Sequence, residues 1–153
     1  MKSILPIALL GAFLAVSSAR AQDAIFINPG VKAGYTFGDR GGFTVGLELS
    51  VTAYWSSTKI LGAALDYDYC ASAERHKFHI GAEGSVDFMG LDAGPTWVRE
   101  KGRDDFGVTI TPYFGLVAYP YYSLTLLRHS PPLHETGIYA KLPIRVYGLI
   151  HYL

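Results

Sequence analysis

The stretch from Phe43 to Trp55, FTVGLELSVTAYW, decides the fold. Phe43, Val45, Leu47, Leu49, Val51, Ala53 and Trp55 share one parity; Thr44, Gly46, Glu48, Ser50, Thr52 and Tyr54 share the other. Successive side chains of a β-strand face opposite sides, so this segment has one apolar face and one polar face. No charge falls on the apolar face. The same pattern recurs to the end of the chain, and a wall without charge over so many segments implies that its solvent is lipid. Among strand structures only a closed barrel satisfies its backbone there, so a membrane β-barrel is expected.

Reading outward by parity gives eight strands. They fall at about 25–37, 43–55, 60–70, 77–88, 91–98, 106–118, 121–127 and from 136 to about 144. The connections after strands two, four and six read as short turns, near 56–59, Met89-Gly90 and Tyr119-Pro120. Those after strands three, five and seven read as longer polar loops, at 71–76, 99–105 and 128–135, and the Gly-Asp-Arg-Gly-Gly turn at 38–42 carries charge. Aromatic residues near the strand ends suggest two girdles: Tyr35, Phe37, Phe43, Trp55, Tyr67, Tyr69, Phe78, Phe88, Trp97, Phe106 and Tyr122. Pro95 and Pro112 fall inside strands, where each removes a ladder donor, and suggest bulges. Pro143 divides two readings of the end: strand eight stops near Ile144 and 145–153 is a tail, or the alternation through Val146, Gly148, Ile150 and Tyr152 continues the strand. The first is the expectation.

The N-terminus reads as a secretory signal peptide over 1–21. Lys2 is its positive end, 4–16 is a short apolar run, and Ala19-Arg20-Ala21 is the small-residue site before a cut at Gln22. Residues 22–153 then form one domain. The chain has 13 basic and 13 acidic residues; loss of Lys2 and Arg20 leaves 11 against 13, a net charge of −2. No basic excess points to nucleic acid. Cys70 is the only cysteine, which excludes an internal disulfide and a cysteine-rich metal site.

A soluble, secreted, lipocalin-like barrel that binds an apolar ligand would also alternate, with the apolar face inward. An eight-stranded barrel is barely wide enough for its own side chains, and five or six apolar residues per strand exceed that volume. The Gly, Ser and Thr of the polar face fit it. The whole mature chain, by signal, parity and loop rhythm, resembles the small eight-stranded outer-membrane proteins of Gram-negative bacteria. The resemblance implies an all-β, antiparallel, up-and-down barrel, porin-like in build and resident in the bacterial outer membrane. Its implied partners are outer-membrane lipid, lipopolysaccharide and the outer-membrane assembly machinery.

The polar face would then line the lumen. It gathers the bases Lys32, Lys141 and Arg145 and His79. Its acids are Glu48, Asp66, Asp68, Glu83, Asp87 and Asp92. Acids exceed bases, so some carboxylates are expected to be hydrated or to keep a proton. The expected role is a structural ion-pair core in a narrow barrel, not an open channel, with adhesion or ligand contact left to the surface. For catalysis the candidates are His129, Ser130 and Glu135. Together with the 139–144 segment (YAKLPI) they are similar to the lipid A deacylases, which implies a lipid A-modifying hydrolase as the alternative. Adjacent strand residues face opposite sides, so His129 and Ser130 do not converge easily for nucleophile activation. No catalytic site, cofactor or metal site is expected.

Overall fold

The structure, a computed structural model, describes residues 24–56, 59–115 and 118–146. The signal segment 1–21 and the stretch 147–153 lie outside the described residues. Eight long strands follow in order: β1 Ala24–Thr36, β2 Gly42–Ser56, β3 Lys59–Cys70, β4 Arg75–Val86, β5 Met89–Glu100, β6 Arg103–Phe114, β7 Ala118–Leu127 and β8 Leu133–Lys141, with a short β9 at Ile144–Arg145. Each long strand pairs antiparallel with the next, and β8 returns to pair with β1. This is a closed eight-stranded antiparallel barrel. Closure leaves no sheet edge, so the backbone donors and acceptors of every strand have a neighbour on both sides.

The parity read from the sequence decides which face points where. Large apolar residues face outward and are exposed, as at Leu47 (61%), Ile138 (53%) and Phe106 (63%). Between Lys59 at one rim and Arg99, Asp104 and Arg128 at the other, no Asp, Glu, Lys or Arg faces outward among the described strand residues. Thr, Ser, Glu, Asp and Lys side chains fill the inside. A lipocalin-like barrel needs the reverse arrangement, and that alternative falls with it. The aromatic wall is dense at the loop end, where Tyr67 meets Phe78 and Phe78 stacks on Trp97 with ring centres 4.8 and 5.2 Å apart. Phe88 and Phe114 mark the opposite end.

Several boundaries differ from the sequence reading. The charged 99–105 segment is not a loop: β5 and β6 run through it and turn only at Lys101–Gly102, with φ of 49° and 77°. Positive φ at both central residues is the type I′ hairpin, whose twist matches the strands. The charges are paired across the ladder, Arg99 with Asp104 and Glu100 with Arg103. Opposite charges facing each other in this way stabilise a strand pair, so charge density here marks a hairpin. The expected turn at Met89-Gly90 lies two residues earlier, at Asp87 and Phe88, with Asp87 taking the left-handed conformation (φ 55°). Tyr119 and Pro120 belong to β7. Of the connections expected to be longer, 71–74 and 128–132 exceed those at 57–58 and 87–88, though they are shorter than the expected 71–76 and 128–135, and 101–102 does not exceed them.

Neither internal proline makes a bulge. The β4–β5 ladder skips Gly94 and Pro95, and the β6–β7 ladder skips Thr111 and Pro112, yet the register is the same on both sides of each gap. Both rings sit on the outward face, where a missing donor leaves the barrel closed. At the C-terminal end, β9 pairs with β1 in the register of β8, Ile144 opposite Ile27 and Arg145 opposite Phe26. The Leu142 and Val146 amides donate to the Pro29 and Ile25 carbonyls at 2.9 and 3.0 Å. Pro29 and Pro143 each lack an N–H and interrupt the ladder without ending it. The eighth strand thus pairs with β1 past Ile144 as far as Val146, and the rest of the longer reading, through Gly148, Ile150 and Tyr152, lies outside the described residues.

Candidate functional site

The inward residues of all eight strands form one buried polar column. Near the loop end, Lys32 and Lys77 both reach Asp68 Oδ2 at 2.9 Å. Lys77 also lies 3.4 Å from Glu135 Oε2, and the Tyr121 hydroxyl donates to Glu135 Oε1 at 2.6 Å. Farther toward the N-terminal end, Lys141 of β8 spans the lumen to Glu48 of β2 (2.5 Å) and Glu83 of β4 (2.8 Å). The Tyr113 hydroxyl donates to the same Glu83 oxygen at 2.7 Å. The Tyr139 ring lies between the two clusters, with Lys32 Nζ 4.9 Å and Lys141 Nζ 5.4 Å from its centre. An aromatic face attracts a cation most where water is excluded, so this ring couples the two clusters.

A third group lies between them. Asp66 and His79 are directly opposed across β3 and β4. His79 Nε2 is 2.7 Å from Asp92 Oδ2, and its Nδ1 is 2.9 Å from the Thr96 hydroxyl. Thr96 donates to Thr109 at 2.6 Å, and Thr109 meets Thr125 at 2.8 Å, a hydroxyl chain running around β5, β6 and β7. The loop-end mouth is crossed by a clamp. Arg40, from the β1–β2 loop, makes a bidentate pair with Glu100 at 2.9 and 2.7 Å. The Arg75 guanidinium donates to the Arg40 carbonyl at 2.9 Å and to Thr36 at 2.8 Å.

Of the residues expected in the lumen, Lys32, Glu48, Asp66, Asp68, His79, Glu83 and Asp92 are each at most 5% exposed, and Lys141 joins them through its ammonium. Two do not. Asp87 is exposed in the β4–β5 turn, because the strand ends at Val86. Arg145 keeps the inward parity but is exposed, because it lies opposite Phe26 at the open end of the barrel. Lys77, Tyr113, Tyr121 and Tyr139 have the polar-face parity within the expected strands and join the lumen, although Lys77 was not among the charges expected there. Arg75 and Glu135 were missed because the expected strands left them in loops, whereas β4 begins at Arg75 and β8 at Leu133.

The hydrolase candidates are not assembled for that chemistry. Glu135 is buried in the lumen, engaged by Tyr121 and Lys77. His129 is at the rim, its Nδ1 3.2 Å from Asp105 Oδ1, and the Ser130 hydroxyl also hydrogen-bonds to Asp105. A nucleophile needs its hydroxyl on the imidazole, whereas here the acid takes both partners.

No protein family matches the chain, and no curated protein does. Among solved structures it is similar to the crystal structure of Neisserial surface protein A, with a TM-score of 0.59 and 9% identity over 80% of this chain and 97% of that one. It is also similar to a de novo designed transmembrane β-barrel, with a TM-score of 0.46 and 11% identity over 76% and 95%. The first likeness shows the fold, a closed eight-stranded antiparallel β-barrel. The similarity to lipid A deacylases gains no support from the first likeness.

Proposed function

We propose that this protein is an integral outer-membrane barrel with a closed lumen, which acts as a membrane-embedded structural element and makes its external contacts through the short loop end. The observation that carries this is the pairing of an uncharged apolar outer wall with an interior bridged strand to strand by Lys141, Lys32 and Lys77. Removing an interior charge from its partner is costly, so the column is a load the barrel keeps closed. An eight-stranded barrel holds side chains inside and leaves no wide channel. The N-terminal end and its turns face the periplasm in this reading, and the Arg40–Glu100 clamp faces outward toward lipopolysaccharide.

The test is electrophoretic mobility with and without heating, joined to outer-membrane fractionation and planar-bilayer recording. The expected result is a heat-modifiable band in the outer-membrane fraction and no stepwise conductance. A protein found in the soluble fraction, or one that conducts ions steadily, overturns the proposal.

A further inference from the structure

We propose that Asp66, His79 and Asp92 form a binding site for one divalent transition-metal ion inside the barrel. One ligand atom from each residue lies within 4.8 Å of the other two, and all three residues are buried. A tetrahedral zinc ion, with bonds of about 2.0–2.2 Å, holds its ligand atoms about 3.3 Å apart, so the triad has to draw together by no more than about 1.5 Å at its widest pair to hold one. One imidazole nitrogen and two carboxylate oxygens suit zinc and its first-row neighbours.

Four observations beyond the clustering point to a cation. First, among the described residues nothing donates a hydrogen bond to Asp66 Oδ1 or Asp92 Oδ1, although the two residues are 3% and 4% exposed. Second, His79 Nε2 and the unpartnered Asp92 oxygen converge over Gly81: a Cβ at Gly81 would collide with Asp92 Oδ1 and sit 2.6 Å from His79 Nε2. Third, the hydroxyl chain fixes the imidazole. Thr96 donates to Thr109, so at 2.9 Å it accepts from His79 Nδ1–H. The neutral imidazole then carries its lone pair on Nε2, facing Asp92 Oδ2 at 2.7 Å. Two acceptors face each other at that distance only with a positive charge between or beside them, either a proton or a metal ion. A ligating histidine held by a hydrogen bond through its other nitrogen is the common arrangement around zinc. Fourth, the charge is least compensated here. Lys32, Lys77 and Lys141 serve Asp68, Glu135, Glu48 and Glu83 at 2.5–3.4 Å, while among the described residues Asp66 has only Lys32, at 3.8 Å, as a basic partner. Among the described residues Asp92 forms its one ion pair with His79. A divalent ion offsets both carboxylates. The closed lumen means that the ion enters as the barrel folds.

The test uses the untagged mature chain refolded in detergent with zinc chloride and then dialysed against metal-free buffer, with heat-modifiable mobility confirming the fold. About one zinc ion per folded barrel is expected, with affinity weakened at least about tenfold in His79→Gln and Asp66→Asn. A His129→Ala/His134→Ala variant, which removes two exposed imidazoles, should bind as the parent does. A folded parent that retains no zinc, or a His79→Gln barrel that retains as much as the parent, overturns the proposal. Should neither lumen variant fold, refolding the parent with cobalt(II) decides. Intense visible bands of a low-coordinate nitrogen–oxygen site sustain the proposal, and a pale hexa-aquo spectrum overturns it.

Discussion

At the residue scale, the lumen and the wall respond to opposite substitutions. Lys141 is the sole ammonium within 4 Å of Glu48 and Glu83 among the described residues. Lys141→Met leaves two buried carboxylates without their cation, and the loss of a buried pair's partner costs about 3–5 kcal/mol. Urea unfolding in detergent should show a loss of that size. Leu65, opposite Leu49 and Ile80 near mid-strand, is half exposed on the outer wall. Leu65→Arg should cost about 2–4 kcal/mol in lipid vesicles, the price of a cation near the bilayer centre. In a soluble barrel an exposed arginine would cost almost nothing, so this variant also reports which solvent the wall meets. The parity that separates these two residues was legible in the sequence. The partners of Lys141 were not, because they lie 93 and 58 positions away on other strands.

At the element scale, the hairpins carry the predictions. Gly102 has φ of 77° in the two-residue β5–β6 turn. Gly102→Val forces a branched side chain into the left-handed region and should cost about 1–2 kcal/mol, measured by unfolding. Glu100 ends β5 beyond outward-facing Arg99, and so lies outside the apolar band. Burial pushes its carboxyl up, but the hydrogen bonds and charge of Arg40, then Arg75, outweigh burial and hold it below the usual carboxylate range. Its folded value is thus below its unfolded value. The clamp's contribution is therefore full above about pH 5 and lost as pH falls below about 4 through the folded value. Thermal unfolding from neutral to acid pH should show the gap between parent and Glu100→Gln shrinking over that range. A gap that stays constant would mean that the ionised carboxylate is not what the clamp contributes to stability. The sequence placed a loop at this hairpin because runs of charge read as solvated coil. Cross-strand pairing of Arg99 with Asp104 is a property of two strands together, and neither strand shows it alone.

At the scale of the whole molecule, the interior ion pairs are shielded from solvent by the wall. At about 0.15 M salt the screening length is about 8 Å, and it acts on charges that ions can approach. Raising salt about tenfold should therefore move the unfolding midpoint of the parent little, since its main clusters are buried. A large drop would place solvent in the lumen.

What the sequence determined by itself was every property that depends on a residue and its immediate neighbours. Alternation with a period of two sorted side chains between two faces, and the absence of charge from one face identified that face with lipid. Strand count and antiparallel order followed from the turn residues between the segments. What only the tertiary structure decided was which inward groups meet. Closing β8 onto β1 sets the stagger of all eight strands, and that stagger brings Lys141 to Glu48 and Glu83. It also joins His79 to Asp66 and Asp92. Alternation is a local steric consequence of the extended backbone and is written residue by residue. Contact across a lumen depends on the register of every intervening pair, a quantity fixed only when the sheet closes.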